Sequence, residues 1–184
     1  SFIIVRRNTE FRSELAMLEA DNRYRPDNAA TLLRLGSVYF QEKRLGDSLV
    51  TTTRASELAP YSSAVWYDLA SCQMAMGNHA EAQRLLEKSL SLNRKNVPAL
   101  TNLAGLMIVQ DRFDAAQALL TEALVLAPHD ERALYNLAMI EARQGQIEAS
   151  VKRLEHLLRI NPGYLPAIRS LDAFRRNAPP PHPG

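Results

Sequence analysis

Across residues 63–96 (S-A-V-W-Y-D-L-A-S-C-Q-M-A-M-G-N-H-A-E-A-Q-R-L-L-E-K-S-L-S-L-N-R-K-N) the core-type positions fall at helical spacing twice over. Trp66, Leu69, Ala70 and Gln73 share one face of a first segment, and Ala82, Leu85, Leu86, Ser89 and Leu90 share one face of a second. Gly77-Asn78 lies between them. The pattern predicts two short amphipathic helices joined by a tight turn. Shifting the window by 34 residues in either direction returns the same arrangement.

The residues that close each unit make the period explicit. Pro26, Pro60, Arg94, Pro128 and Pro162 are spaced by 34 with no insertion or deletion, and Arg94 alone departs from proline. Four whole units follow: 29–62, 63–96, 97–130 and 131–164. Residues 1–28 read as an N-terminal half-unit with a capping helix, 165–178 as a C-terminal capping helix, and 179–184 as a disordered tail. Within a unit the fourth residue is large and apolar (Leu32, Trp66, Leu100, Leu134), the seventh is leucine (Leu35, Leu69, Leu103, Leu137) and the eighth is small (Gly36, Ala70, Ala104, Ala138). The twentieth is small throughout (Ser48, Ala82, Ala116, Ser150) and the twenty-seventh is small in three units (Ala55, Ser89, Ala123). Small residues on both helices let two backbones approach closely while the large ones fill the space toward the next unit. By this register Trp66 is expected to be buried between units.

The turns and departures carry their own expectations. Gly46, Gly77 and Gly145 lie at or near the turn inside three units, and Asp111-Arg112 takes that place in the third. Each closing proline pushes the residue before it out of the helical region and ends the second helix. Thr51-Thr52-Thr53 places three β-branched residues in one second helix, with Thr52 at a position that is otherwise large and apolar, so that helix is expected to open most readily. Leu157 replaces the small twenty-seventh residue in the last unit, and Gln73, Met107 and Glu141 stand where Tyr39 stands in the first.

This pattern resembles the tetratricopeptide repeat: 34 residues, helix-turn-helix, large-x-x-Leu-small in the first helix, small residues in the second, and proline near the end. The resemblance covers nearly the whole chain. It implies an all-α right-handed superhelix, an α-solenoid of helix-turn-helix units, whose first helices line a concave groove that binds a partner protein or an extended peptide. Carried over position by position, the groove would present Arg34, Tyr67, Asp68, Asn102, Arg132, Tyr135, Asn136, Met139 and Arg143, with Ser170 in the final half-unit. The carboxylate clamp of chaperone-binding members needs lysines that are missing here, and Asp68 would repel a carboxylate. Asn102 and Asn136 match two of four positions of the asparagine ladder in the O-GlcNAc transferase superhelix, whose amides both donate to and accept from a peptide backbone. The alternative to backbone recognition is a basic end built from Arg132, Arg143, Arg169 and Arg176 that recruits an acidic partner.

Composition narrows the function further. At 46% hydrophobic and 23% charged, the chain is too apolar to be disordered. A formal net charge of +2 carries no nucleic-acid footprint. Cys72 is the only cysteine, so no disulfide framework forms, and it reads as an inert packing residue. His79, His129, His156 and His182 show no metal-ligand spacing, no glycine-rich phosphate loop occurs, and no local motif suggests a Ser/His/Asp arrangement. The chain therefore reads as a non-catalytic scaffold without cofactor or metal.

A second, local resemblance concerns the start of the chain. Arg6-Arg7-Asn8-Thr9-Glu10-Phe11-Arg12-Ser13-Glu14-Leu15 is similar to the junction in multi-spanning membrane glycosyltransferase-like proteins that carry C-terminal tetratricopeptide repeats. It implies that Phe2-Ile3-Ile4-Val5 ends a membrane helix and that the repeats form an accessory domain of a membrane-anchored glycan or envelope assembly system. Within the sequence itself no stretch reaches the roughly 18 apolar residues of a span. The resemblance implies the exoplasmic face whereas Arg6-Arg7 favours the cytoplasmic one, so both compartments stay open.

Overall fold

The computed structural model describes residues 14–177, and every described regular element is a helix. Residues 14–24 form α1. Among the described residues nine further helices follow: α2 (Ala29–Gln41), α3 (Leu45–Leu58), α4 (Ser63–Ala75), α5 (His79–Leu92), α6 (Val97–Val109), α7 (Phe113–Leu126), α8 (Glu131–Arg143), α9 (Ile147–Ile160) and α10 (Leu165–Asn177). First helices begin at residues 29, 63, 97, 131 and 165, and second helices at 45, 79, 113 and 147, so both keep the 34-residue period. Residues 2–5, most of the junction-like stretch, and the tail at 179–184 lie outside the described residues. Among the described residues no helix is long and apolar enough to cross a membrane.

Each unit ends in the same turn. The amide of residue 28, 62, 96, 130 or 164 donates to the carbonyl three residues back, at 3.0–3.2 Å, with the closing residue second in the turn. Proline suits that slot because its φ is already set. Arg94 fills it too: Asn96 N still donates to the Asn93 carbonyl, and Asn93 is extended at φ −145°. The last residue of the turn caps the next helix in three of these places. Asn28 Oδ1 accepts from the amides of Ala30 and Thr31, Asn96 Oδ1 from Ala99, and Asp130 Oδ1 from Ala133.

The turns inside the units follow the sequence reading in three units and depart from it in the first. The fifteenth position takes the left-handed conformation in all four units, at Lys43 (φ 61°), Gly77 (φ 81°), Asp111 (φ 56°) and Gly145 (φ 79°). Gly46 is therefore not the turn residue of the first unit. It lies within α3, and Lys43 bears the strained φ that glycine would adopt at little cost.

The chain divides into two compact units, one through Ala99 and one from Leu100. In the first, Leu18, Leu35, Val38 and Tyr39 form one apolar cluster and Leu32, Ala55 and Val65 another. The small positions are closed off, with Ala70, Ala82, Ser48, Ala55 and Ser89 all at 0% exposure. Trp66 is a correction: it is only partly buried, and its indole Nε1 donates to the Pro60 carbonyl at 2.7 Å. The indole N–H needs an acceptor, and the closing turn supplies one at the edge of the core. Val65, one residue earlier, is the buried one.

In the second unit Leu134, Ala138, Leu154, Leu157, Ala167 and Leu171 form the core, and Leu157 packs where the other units have a small residue. Ala99, Ala133 and Ala167 at the third position are fully buried, and Leu106 and Ile140 at the tenth are nearly so. The tenth position was open to sequence reading, because Val38, Cys72, Leu106 and Ile140 are all apolar.

Candidate functional site

In the first unit the groove positions are Arg34 on α2 and Tyr67 and Asp68 on α4. Arg34 is exposed but not idle. Its Nε donates to Glu14 Oε1 at 2.8 Å and its Nη2 lies 2.6 Å from the same oxygen. Tyr67 and Asp68 are partly buried. Asp68 makes no hydrogen bond or ion pair among the described residues, and burial pushes its carboxyl up to about 6. Four residues on, Cys72 is buried with its Sγ 2.9 Å from Ser48 Oγ. Burial first, and the Asp68 carboxylate as a lesser cause, push that thiol up, so it stays protonated and inert.

In the second unit six of the expected residues gather around α8. Arg132 Nη1 donates to Asn102 Oδ1 of α6 at 3.2 Å. Tyr135 packs against Tyr164 with ring centroids 5.8 Å apart, and its hydroxyl lies 3.5 Å from Ser170 Oγ of α10. Ser170 also reaches Met139 Sδ at 3.9 Å. Asn136 is partly exposed, and its amide has no partner among the described residues. Arg143 stands apart from this group. It lies 3.5 Å from Asp111 and 5.7 Å above the Phe113 ring, close to the turn between α6 and α7.

Tyr164 is a residue the sequence reading missed. The signal was present: it occupies the capping slot that holds Asn28, Ser62, Asn96 and Asp130 in the other units, and tyrosine is a poor cap. Its ring instead flanks Tyr135, and burial, with Tyr135 close by, raises its hydroxyl pKa. A second cluster on the far side of α8 has a different character. Arg153 of α9 clamps Glu141 through Nε and Nη2 at 2.6–3.1 Å, in the wall of a cleft of about 630 Å³ lined also by Gln117, Leu124, Val125 and Ile140. Glu141 thus takes a charged partner where Tyr39 donates its hydroxyl to Glu19. Among the described residues no group of three His, Cys, Asp or Glu side chains could hold a metal ion.

Comparison with known proteins places this arrangement. The family model for the middle TPR-like domain of cilia and flagella-associated protein 70 matches residues 39–133, and a tetratricopeptide-repeat model matches residues 110–173. No curated protein sequence matches the chain. Among solved structures it is similar to TTC0263, a thermophilic TPR protein of Thermus thermophilus (TM-score 0.75, 15% identity, 93% of each chain covered). It is also similar to a tetratricopeptide repeat protein from Parabacteroides merdae (TM-score 0.74, 20% identity, 91% of this chain and 67% of that one). YrrB, a TPR protein with an unusual peptide-binding site, aligns with TM-score 0.69 and 16% identity over 92% of this chain and 87% of its own. At these identities the solved structures speak for the fold alone. The first family model spans more than half of the chain, the helices keep the 34-residue period from α2 to α10, and the chain belongs to the tetratricopeptide-repeat family.

Proposed function

We propose that this protein is a non-catalytic interaction module and that the face carrying Asn102, Tyr135 and Asn136 holds an extended segment of a partner protein. The coarser part follows from the family, whose members are in general scaffolds for protein–protein interaction. The finer part is supported by one observation above all: the amide of Asn136 has no partner among the described residues, and that of Asn102 is engaged only at Oδ1, by Arg132. A side-chain amide both donates and accepts, which suits a peptide backbone whatever its sequence. The tyrosine pair beside it offers rigid apolar area with a polar tip. YrrB lends the reading weight as a TPR protein with a peptide-binding site.

The test uses peptides selected from a displayed random library, titrated by calorimetry at low and high salt. The double variant Asn102→Ala/Asn136→Ala should bind about tenfold more weakly, with little salt dependence, the scale of one or two lost hydrogen bonds. Arg143→Ala/Arg169→Ala, which leaves both amides untouched, should bind like the parent. The opposite pattern, with a salt-sensitive loss confined to the arginine variant, would hand the function to the basic side chains.

A further inference from the structure

We propose that the partner segment held on this face is proline-rich and runs in the polyproline II conformation, with Tyr164 joining Tyr135 as a contact residue. The inference rests on the peptide-binding reading above and adds to it the class of segment.

Every group involved lies in the second compact unit, on α6, α8 and the start of α10. A guanidinium has only donors, so Asn102 can meet Arg132 only with its oxygen, as in the 3.2 Å contact. That leaves both N–H groups of Asn102 Nδ2 open among the described residues. Asn136 adds a second open amide. Tyr135 has its hydroxyl 3.5 Å from Ser170, whereas the Tyr164 hydroxyl has no partner among the described residues. Glu131, the carboxylate that opens α8, accepts from Asn161 at 3.0 Å. The open groups of this face are therefore mostly donors.

A segment of ordinary residues carries as many N–H groups as carbonyls, and here its N–H groups would meet donors. Proline has no N–H, so a proline-rich segment offers acceptors alone. In the polyproline II conformation those carbonyls make no internal hydrogen bonds and stay available. The rings supply the other half of the fit. Tyr135 and Tyr164 are both partly exposed, with centroids 5.8 Å apart and planes inclined by 54°, so neither ring lies flat on the other. Aromatic-lined grooves of this kind take pyrrolidine rings, and a segment that is already stiff loses little freedom on binding. The other unit junctions carry Asn28, Ser62, Asn96 and Asp130 in the slot of Tyr164, so only the last one provides a second ring.

The experiment pans a phage-displayed library of random linear peptides against the full chain and against Tyr164→Leu, and titrates decaproline against both and against Tyr164→Phe. Proline should be enriched about tenfold among peptides selected on the parent, and Tyr164→Leu should abolish the enrichment while peptides are still recovered. Decaproline should bind about tenfold more weakly to Tyr164→Leu and about threefold more weakly to Tyr164→Phe, which keeps the ring and loses one hydrogen bond. Peptides recovered without a proline preference, or with one that survives Tyr164→Leu, overturn this inference and leave the peptide-binding reading standing. Equal decaproline affinity across the three proteins does the same. The rival occupant is the proline run of this chain, Pro179, Pro180, Pro181 and Pro183. A full-length variant with those four changed to serine should bind decaproline like the parent, and markedly tighter binding would assign the face to the chain's own tail instead. Failure to recover any specific peptide from either panned protein overturns both readings.

Discussion

The helix pair α2/α3 and the pair α8/α9 solve one packing problem with different chemistry. At the eighth, twentieth and twenty-fourth positions the first pair has Gly36, Ser48 and Thr52, and the last has Ala138, Ser150 and Leu154. All six are buried. In α2/α3 the contact is polar. Ser48 donates to the Gly36 carbonyl at 2.7 Å and Thr52 to the Ser48 carbonyl at 2.7 Å, while a Cβ added to Gly36 would stand 2.4 Å from Thr52 Cγ2. In α8/α9 a leucine fills that space, and Ser150 Oγ is buried with no hydrogen-bond partner among the described residues. Glycine and threonine in the first pair are therefore one choice made at two positions, which a tally of helix propensities would have counted as two defects.

The largest expected effects separate the two pairs directly. Leu154→Ala should cost about 2–5 kcal/mol, since it empties a fully buried site with no polar contact to fall back on. Gly36→Ala should cost about 1–3 kcal/mol through overpacking, and Thr52→Ser, which removes the offending methyl, should recover most of it. Denaturant melts of the three single variants and the double variant give the coupling. A Gly36→Ala/Thr52→Ser double variant no more stable than the sum of its parts would show the two sites to be independent.

The comparison extends to the sixth position, where α4 carries the carboxylate Asp68 and α8 the neutral Asn136. Because the folded-state pKa of Asp68 is raised, to about 6 from an ordinary 3.8, the folded protein binds this proton more tightly than the unfolded chain does. Its contribution is most favourable below the ordinary value and is lost as pH rises through 6, a change on the order of 2 kcal/mol. Asp68→Asn should flatten that part of the stability–pH profile and stabilise the protein at pH 7 by a similar amount. A parent whose stability rises between pH 4 and 6 to the same extent as the variant's would contradict it.

The smallest effects have opposite signs. Ser48→Ala should destabilise by about 1 kcal/mol because its hydroxyl serves the Gly36 carbonyl, whereas Ser150→Ala should be neutral or stabilising by up to about 1 kcal/mol because it removes an unsatisfied buried hydroxyl. Thermal melts of the two variants side by side decide the matter. Equal losses would mean that Ser150 is as well bonded as Ser48.

Much of this was legible beforehand, and the reasons differ by residue. The helices and the small positions followed from periodicity, because a residue every 34 must meet the same neighbours in each unit. Trp66 was misplaced because its apolar bulk says core while its N–H requires an acceptor, and only the fold shows that the Pro60 carbonyl is within reach. The turn at Lys43 was hidden because glycine is the usual marker of a left-handed residue and the first unit lacks one there. At the candidate site, periodicity supplies the positions but not the pairings. That Arg34 turns to Glu14, twenty residues earlier, depends on how α1 lies against α2.

The Ser48–Cys72 seam has a kinetic consequence. Cys72 is the only cysteine of the chain, 1% exposed, on α4 with its sulfur against Ser48 of α3. A thiol reagent reaches it only when α3 leaves α4, so at low reagent the alkylation rate is the intrinsic rate multiplied by the opening equilibrium of that one seam. The threonine-rich helix sits on the moving side of it. The chain thus carries, without any engineering, a single-site clock for the helix that its sequence marks as the weakest.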